Sequence, residues 1–452
     1  MTSISTSENN NQSADIFVTN FHQAAPYIHY LRNKTLIIAI NSDVLHANQL
    51  ANLSRDIQLL HSLGLRLVLI YDNELQVAQL ARHCNYTLQY YQQQRITDKI
   101  TLQLVKQANG LISCDLQAAL SAIPVQTPDH HAQTLTVTSG NVLLARPLGV
   151  IDGVDMCYSG VIRKIDTEAI KQRLEQNQIV LVNPIGYSLS GQAYSINSDA
   201  LAAKLAISLQ AEKILFLNSD QGLVDEQQQL ISQLTSAEIE PLLQHPHIST
   251  HVRSMLRMTR EALENGVQRV HFISGLMAGS LIRELFTHEG CGTAVAQNSF
   301  VCIRAADHND IGDILQLIAP LEAAGILLPR DHEYLENHIH EFLVLEHDCH
   351  VYGCVALHLY PEDSAAELGC LVVSPEARSK GFGELLLQHV IRLSEQQQVH
   401  NLFALSTQTG DWFLERGFMS ATLQDLPVQR QQQYQQNQRY SKIYCRQLSS
   451  NN

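Results

Sequence analysis

The sequence predicts an α/β protein in two parts: an N-terminal three-layer α/β domain with a mainly parallel sheet, and a C-terminal α+β domain with a mixed sheet. Three observations carry that reading. The chain has 452 residues, too many for one ordinary core. Short apolar runs alternate with helical periodicity up to residues 292–297, the pattern of strands joined by crossover helices. A different order begins at Phe300, with two helices followed by closely spaced strand runs.

Residues 1–20 are polar and rich in Ser and Asn, and read as a disordered tail. The two domains follow at 21–297 and 298–452. Phe21–Tyr30 reads as a short helix interrupted at Pro26. Strand runs come at Thr35–Ile40, Leu65–Tyr71, Ile179–Val182, Lys213–Leu217 and Arg269–Ser274, with helices at Asn48–Leu63, Glu74–His83 and Ala200–Leu209. In the second part, strand Phe300–Ala305 precedes helices Asp307–Ile318 and Asp331–His340. Strands Glu341–His347 and His350–Leu359 form a hairpin turning at Asp348. Strand Ala366–Val373, helix Gly383–Gln396, strand Asn401–Leu405 and helix Asp411–Arg416 come next. A Gln-rich segment after Pro427, read as solvated loop or exposed helix with no assigned function, precedes a last strand at Ser441–Cys445.

Composition narrows the partners. A net charge of −14 argues against nucleic acid and requires anionic substrates to be drawn into a local cationic pocket. The nine cysteines are odd in number and form no C-x-x-C pair, so they read as reduced thiols of a cytoplasmic protein. No apolar run is long enough to span a membrane. The close histidine pairs, His130-His131, His245-x-His247 and His338-x-His340, lack a third ligand and helical i, i+4 spacing, so no metal is expected.

The most informative stretch runs from Leu371 to Gly383. The apolar strand Leu371-Val372-Val373 enters a turn, and Arg378, Ser379, Lys380, Gly381, Phe382 and Gly383 carry that turn into a helix. Glycines let backbone N–H groups converge, and the helix start adds its dipole, which together make a pyrophosphate cradle. The other reading is an ordinary strand–turn–helix with glycines for tight packing.

In this element order, Arg378-x-x-Gly381-x-Gly383 resembles the GNAT acetyltransferase family, whose motif holds the pyrophosphate of acetyl-CoA. Trp412 to Phe418 (WFLERGF) matches the family's late helix and following strand. The resemblance implies acetyl-CoA as cosubstrate, no permanently bound cofactor, and strand backbone at Leu371, Val372 and Val373 facing the thioester arm. Further segments agree along the chain, among them Leu59–Gly64 (LLHSLG), Arg95–Asp98 (RITD), Ala145–Asp155 (ARPLGVIDGVD), Tyr158–Asp166 (YSGVIRKID) and Pro320–Leu327 (PLEAAGIL). Together they are similar to the bacterial N-acetylglutamate synthase family, in which an amino acid kinase-like domain is fused to a GNAT domain. That resemblance implies acetylation of the α-amino group of L-glutamate, the first step of arginine biosynthesis, with L-arginine as inhibitor and a homohexameric assembly. Two alternatives stay open: a GNAT enzyme acting on another amine, and a non-catalytic arginine-sensing assembly protein.

Kinases of the N-terminal fold use glycine-rich turns and a lysine against the phosphates. Here the first turn reads Ala39-Ile40-Asn41-Ser42 and the second Asp72-Asn73-Glu74, which would repel a polyphosphate. The domain therefore reads as regulatory and architectural, without kinase activity. The glycines lost at Asn41, Ser42 and Asp72, and His251-Val252-Arg253 in place of a Gly-containing loop, leave arginine inhibition open. Tyr27, in Pro26-Tyr27-Ile28, matches the family's regulatory helix; it either couples the arginine site to activity or merely packs the helix.

Acetyl transfer needs a group to take the ammonium proton and a donor for the leaving thiolate. Two-residue periodicity puts Glu367, Gly369, Leu371 and Val373 on one face, so Glu367 reads as a base among apolar neighbours, or else as an exposed strand-entry glutamate. Ser406 either protonates the thiolate or caps the next turn, and Tyr360 is a weaker candidate. A dicarboxylate substrate calls for guanidinium groups, for which Arg330 and Arg416 are the candidates, each otherwise a surface ion-pair partner.

Overall fold

The computed structural model describes residues 4–448 apart from 47–49, 93, 123–134, 246–247, 288, 348–349 and 437–440. The pair His130-His131, His247 and the hairpin turn at Asp348 thus lie outside the described residues. The chain divides into two units between Asn298 and Ser299.

In the first unit an eight-stranded sheet runs in the order Gln233–Thr235, Thr293–Ala296, Arg269–Ser274, Lys213–Asn218, Thr35–Ile40, Arg66–Tyr71, Ile179–Val182, Val137–Thr138. Neighbours pair parallel except Thr293–Ala296 against Arg269–Ser274. The central strands are buried on both faces. Ile37, Ala39, Val68 and Ile70 meet the helix Ser198–Leu209 on one side. Leu36, Ile38, Leu67 and Leu69 meet the helices Leu50–Ser62 and Lys99–Ser121 on the other. Two-sided burial is why these strands read as unbroken apolar runs.

The start of the chain corrects the sequence reading. One helix spans Ile4–Leu31, where a disordered tail to residue 20 and an interrupted helix were expected. No proline or glycine interrupts residues 4–25, and Pro26 is tolerated inside because Ala24, Tyr27, Ile28 and Leu31 anchor the last turns on the core. The sequence reading also misses a closed four-stranded barrel formed by Leu143–Pro147, Ser159–Ile165, Ile185–Tyr187 and Ala193–Ile196. Its readable trace is glycine within strands: a Cβ on Gly186 would lie 2.6 Å from Ala145 Cβ, and one on Gly160 2.5 Å from Tyr194 Cβ.

The second unit holds a seven-stranded mixed sheet in the order Val301–Ala305, Phe342–His347, His350–Tyr360, Ala365–Val373, Asn401–Ser406, Lys442–Gln447, Met419–Ala421. One neighbouring pair, Ala365–Val373 with Asn401–Ser406, is parallel. Helix Phe382–Gln396 packs on one face with Leu386, Leu387 and Val390, and helix Ile311–Ala323 covers the other with Ile314 and Ile318.

The first unit also buries a hydrogen-bonded histidine–glutamate pair. His271 Nδ1 lies 2.6 Å from Glu284 Oε1, and the other Glu284 oxygen accepts the N–H groups of Cys291 and Gly292 at 2.7 and 3.0 Å. His271 Nε2 is buried without a partner, so a second ring proton would have no acceptor. Burial accordingly pushes the imidazole down from 6.5 to about 4. Burial works to raise the Glu284 carboxyl, but the His271 ring and the two N–H groups hold it down at about 2. The unfolded chain takes up the His271 proton near pH 6.5 while the folded chain refuses it until about 4, so stability is lost as pH falls through that window. We expect a loss of about 2 kcal/mol between pH 7 and 5. Denaturant unfolding of wild type and His271→Gln should show the smaller pH dependence in the variant.

Candidate active site

The site is built on a register slip. Along the hairpin of His350–Tyr360 with Ala365–Val373, Cys354 pairs with Val372 and Ala356 with Gly369. Cys370 and Leu371 therefore both face Val355, a β-bulge, and Cys370 takes the left-handed φ of 49°. The slip overturns the expected alternation. Leu371 and Val373 join Ala366 and Leu368 on the helix Phe382–Gln396 side, while Cys370 and Val372 turn to the opposite core. Glu367 does not share a face with Leu371 and Val373.

The bulge sits where the strand leaves its parallel neighbour. Pairing with Asn401–Ser406 ends at Leu368 and Ala404. A cavity of about 90 Å³ opens there, lined by Gly369, Cys370, Leu405, Glu367, Arg330 and Arg430, among others.

Glu367 is buried, but not among apolar groups. Arg430 grips it with two bonds, Nε to Oε2 at 2.5 Å and Nη2 to Oε1 at 3.0 Å, and both side chains are 11% exposed. The expected apolar setting is thus replaced by a bidentate ion pair. Arg430 belongs to the helix Val428–Gln436, in the Gln-rich segment to which the sequence reading assigned no function. Tyr360 stands beside the pair; burial, then the charge of Glu367, keeps its phenol protonated beyond the usual range. Arg330 donates Nη1 to the Leu328 carbonyl at 3.2 Å and lies 5.8 Å over the Tyr334 ring, leaving its Nε buried without a partner.

Arg416 does not join this cavity. Its Nε bonds Glu384 at 2.5 Å, Nη1 bonds the Trp412 carbonyl at 3.0 Å, and the guanidinium stacks 4.2 Å over the Trp412 ring. Glu384, in the first turn of helix Phe382–Gln396, draws the guanidinium there. Ser406 ends its strand and accepts the Thr409 N–H at 2.9 Å, the turn-capping geometry of the second reading. Ser441, just before the strand Lys442–Gln447, also lines the cavity and is not among the residues singled out from the sequence.

The cradle has the expected backbone. A 3₁₀ turn over Pro375–Lys380 leads to Gly381 at φ 74°, and helix Phe382–Gln396 starts with no side-chain cap. Uncapped first-turn N–H groups are an anion site. A Cβ on Gly381 would meet nothing within 4 Å, so the open side of the turn has room for a ligand. Lys380 is exposed beside it. A Cβ on Gly383 would make ordinary van der Waals contact with Trp412 and Val373, at 3.7 and 3.8 Å.

In the first unit, Asn41, Asp72 and Glu74 line a cavity of about 160 Å³ at the carboxyl ends of the central strands, with Asp199 and His251. Burial, and the nearby Asp72, raise the Asp199 carboxyl to about 6 against the opposing pull of His251. Carboxylates here disfavour phosphate. Among the described residues no group of His, Cys, Asp and Glu is arranged to hold a metal.

Comparison with known proteins agrees with the two-unit fold. Residues 34–274 match the amino acid kinase family, and residues 311–418 match the acetyltransferase (GNAT) family. An amino-acid acetyltransferase of Neisseria meningitidis is 42% identical, over 96% of this chain and 99% of its own. One from Serratia proteamaculans is 41% identical over 94% and 97%. The crystal structure of N-acetylglutamate synthase from Neisseria gonorrhoeae, complexed with coenzyme A and L-arginine, superposes with a TM-score of 0.89 at 41% identity, covering 96% of this chain and 99% of that one. A second structure of that enzyme, with coenzyme A and N-acetyl-glutamate, is 42% identical over the same shares at a TM-score of 0.61. Matched over nearly its whole length by these enzymes, the chain belongs to the amino-acid acetyltransferase family, in which an amino acid kinase-type domain is joined to a GNAT acetyltransferase domain.

Proposed function

We propose that this enzyme transfers the acetyl group of acetyl-CoA to the α-amino group of L-glutamate, giving N-acetyl-L-glutamate and CoA. The observation that carries the reading is the cavity itself: two guanidinium groups, Arg330 with a buried unpartnered Nε and Arg430, beside one carboxylate, Glu367. A dicarboxylic amino acid matches that charge pattern. The family's cosubstrate would lie with its pyrophosphate on the turn 378–383, against backbone N–H groups and near Lys380. Its thioester arm would run along Leu371, Val372 and Val373, where the parallel strands part.

The steps balance simply. Glu367 takes one proton from the substrate ammonium, and the neutral amine attacks the thioester carbonyl. The attacking nitrogen then gives up its second proton, the tetrahedral oxyanion collapses to the amide with cleavage of the C–S bond, and that proton is delivered to the leaving thiolate, which becomes the CoA thiol. Ser406, at the splayed strand end, is our candidate proton donor, directly or through water.

We also propose that L-arginine inhibits the enzyme through the N-terminal unit, that Tyr27 couples it to activity, and that the enzyme is a cytoplasmic homohexamer. Support comes from the arginine complex of the gonococcal enzyme and from the helix Ile4–Leu31, whose Phe17, Val18 and Phe21 are exposed. Tyr27, half-buried, packs this helix on the core. Among the described residues no helix is long and apolar enough to cross a membrane.

Release of free thiol from acetyl-CoA, followed across single amino acids with and without arginine, tests the reading. We expect saturable release with L-glutamate, inhibition by arginine, and weaker inhibition in Tyr27→Cys at normal basal turnover. Release that is indifferent to glutamate would sink the substrate assignment.

The cradle has its own test. Gly381→Asp strains a left-handed turn and sets a negative charge where the pyrophosphate would lie, so acetyl-CoA binding should weaken by more than about 2 kcal/mol. Calorimetry reads this directly; unchanged affinity would remove the cradle assignment.

A further inference from the structure

We propose that the Glu367–Arg430 ion pair is a latch opened by the second carboxylate of the acceptor, which makes Arg430 the residue that selects a dicarboxylic amino acid. The inference rests on the glutamate reading above and deepens it.

Both Glu367 oxygens are engaged: Arg430 Nε donates to Oε2 at 2.5 Å and Nη2 to Oε1 at 3.0 Å. An incoming ammonium must compete with that guanidinium for the same oxygens. While the pair is closed, the group assigned to accept the proton is already occupied. The pair is also nearly shielded from water, with both side chains 11% exposed, so water does not readily loosen it.

Arg430 lines the cavity that an acceptor would enter. A guanidinium fork binds any carboxylate of the right geometry, so a side-chain carboxylate entering the cavity can replace Glu367 as its partner. Arg330, with its buried unpartnered Nε, takes the other carboxylate. Exchange at Arg430 then frees Glu367 while the substrate ammonium lies against it, with no net loss of ion pairs. The neighbours are consistent with a site poised for exchange. Tyr360 stands beside Glu367, able to donate to the freed carboxylate. Arg430 sits in the first turn of the helix Val428–Gln436, which fixes the backbone from which its fork reaches the cavity.

An amino acid with one carboxylate would satisfy Arg330 and leave the latch shut. Selection would then appear in kcat as well as in KM, because the missing interaction is also the one that releases the proton acceptor.

The test uses the full-length enzyme and the thiol-release assay, with L-glutamate and L-glutamine as acceptors. Wild type should turn over glutamine with a kcat at least tenfold below that for glutamate. Arg430→Gln removes the latch and the second clamp together. Its KM for glutamate should rise by roughly tenfold or more, from the loss of a charge-assisted pair. Its kcat for glutamine should rise above the wild-type value, a gain that a merely structural role for Arg430 would not produce. Arg430→Lys, which keeps the charge without the fork, should fall between the two and serves if Arg430→Gln does not fold, as judged by circular dichroism. Equal wild-type kcat for both acceptors overturns the latch. So does an Arg430→Gln enzyme that loses both activities in proportion. A wild type inactive on glutamate but active on another amine removes instead the functional reading beneath it.

Discussion

One extra residue in the strand Ala365–Val373 governs what each side of the second unit can do. Because Cys370 and Leu371 together oppose Val355, the strand changes face at that point. Before the slip, Glu367 points away from the face where the helix Phe382–Gln396 packs; after it, Leu371 and Val373 return to that helix. The same strand thus lines a polar cavity with one half and leads into the glycine turn proposed to hold the pyrophosphate with the other. Without the bulge, the residues entering the turn would be aimed into the opposite core.

The bulge also explains the cleft. Parallel pairing with Asn401–Ser406 stops at Leu368, just before the irregular residues, so the sheet opens instead of closing over the site. Into that opening come side chains from three separate places: Arg330 from the loop before helix His332–His338, Glu367 from the strand, and Arg430 from the helix Val428–Gln436. Burying Glu367 and Arg430 carries a desolvation cost that their mutual bonds offset, and removing one partner would strand a buried charge at a cost of about 3–5 kcal/mol. A pair with that balance is stable closed and exchanges only for an equivalent partner.

The fold was readable wherever burial imposes a pattern. Thr35–Ile40, Ile179–Val182 and Arg269–Ser274 have the bounds read from their apolar runs, because both faces are covered. The four-stranded barrel was not readable, since three of its four strands are only three to five residues long, leaving little more than in-strand glycines as a trace. At the site, the cradle motif and the positions of Glu367 and Arg330 were legible, but the setting of Glu367 was not. Nothing in the side-chain order marks a bulge at a cysteine, and a two-residue period carried past it assigns the wrong face. Arg430 was hidden because a guanidinium among glutamines looks solvated until the chain 63 residues earlier supplies its carboxylate. Arg416 shows the converse: the helix read as Asp411–Arg416 spans Gly410–Leu414, and Arg416 in the turn beyond it pairs with Glu384.

The central claim is that the cavity holding Arg330, Glu367 and Arg430 is where the acceptor binds. A crystal structure of this chain with CoA and L-glutamate tests it most directly. The account predicts glutamate in that cavity, one carboxylate on Arg330, the other on Arg430, and the amino group against a Glu367 released from its guanidinium. Glutamate bound elsewhere in the GNAT unit, with the Glu367–Arg430 pair still closed, would contradict it.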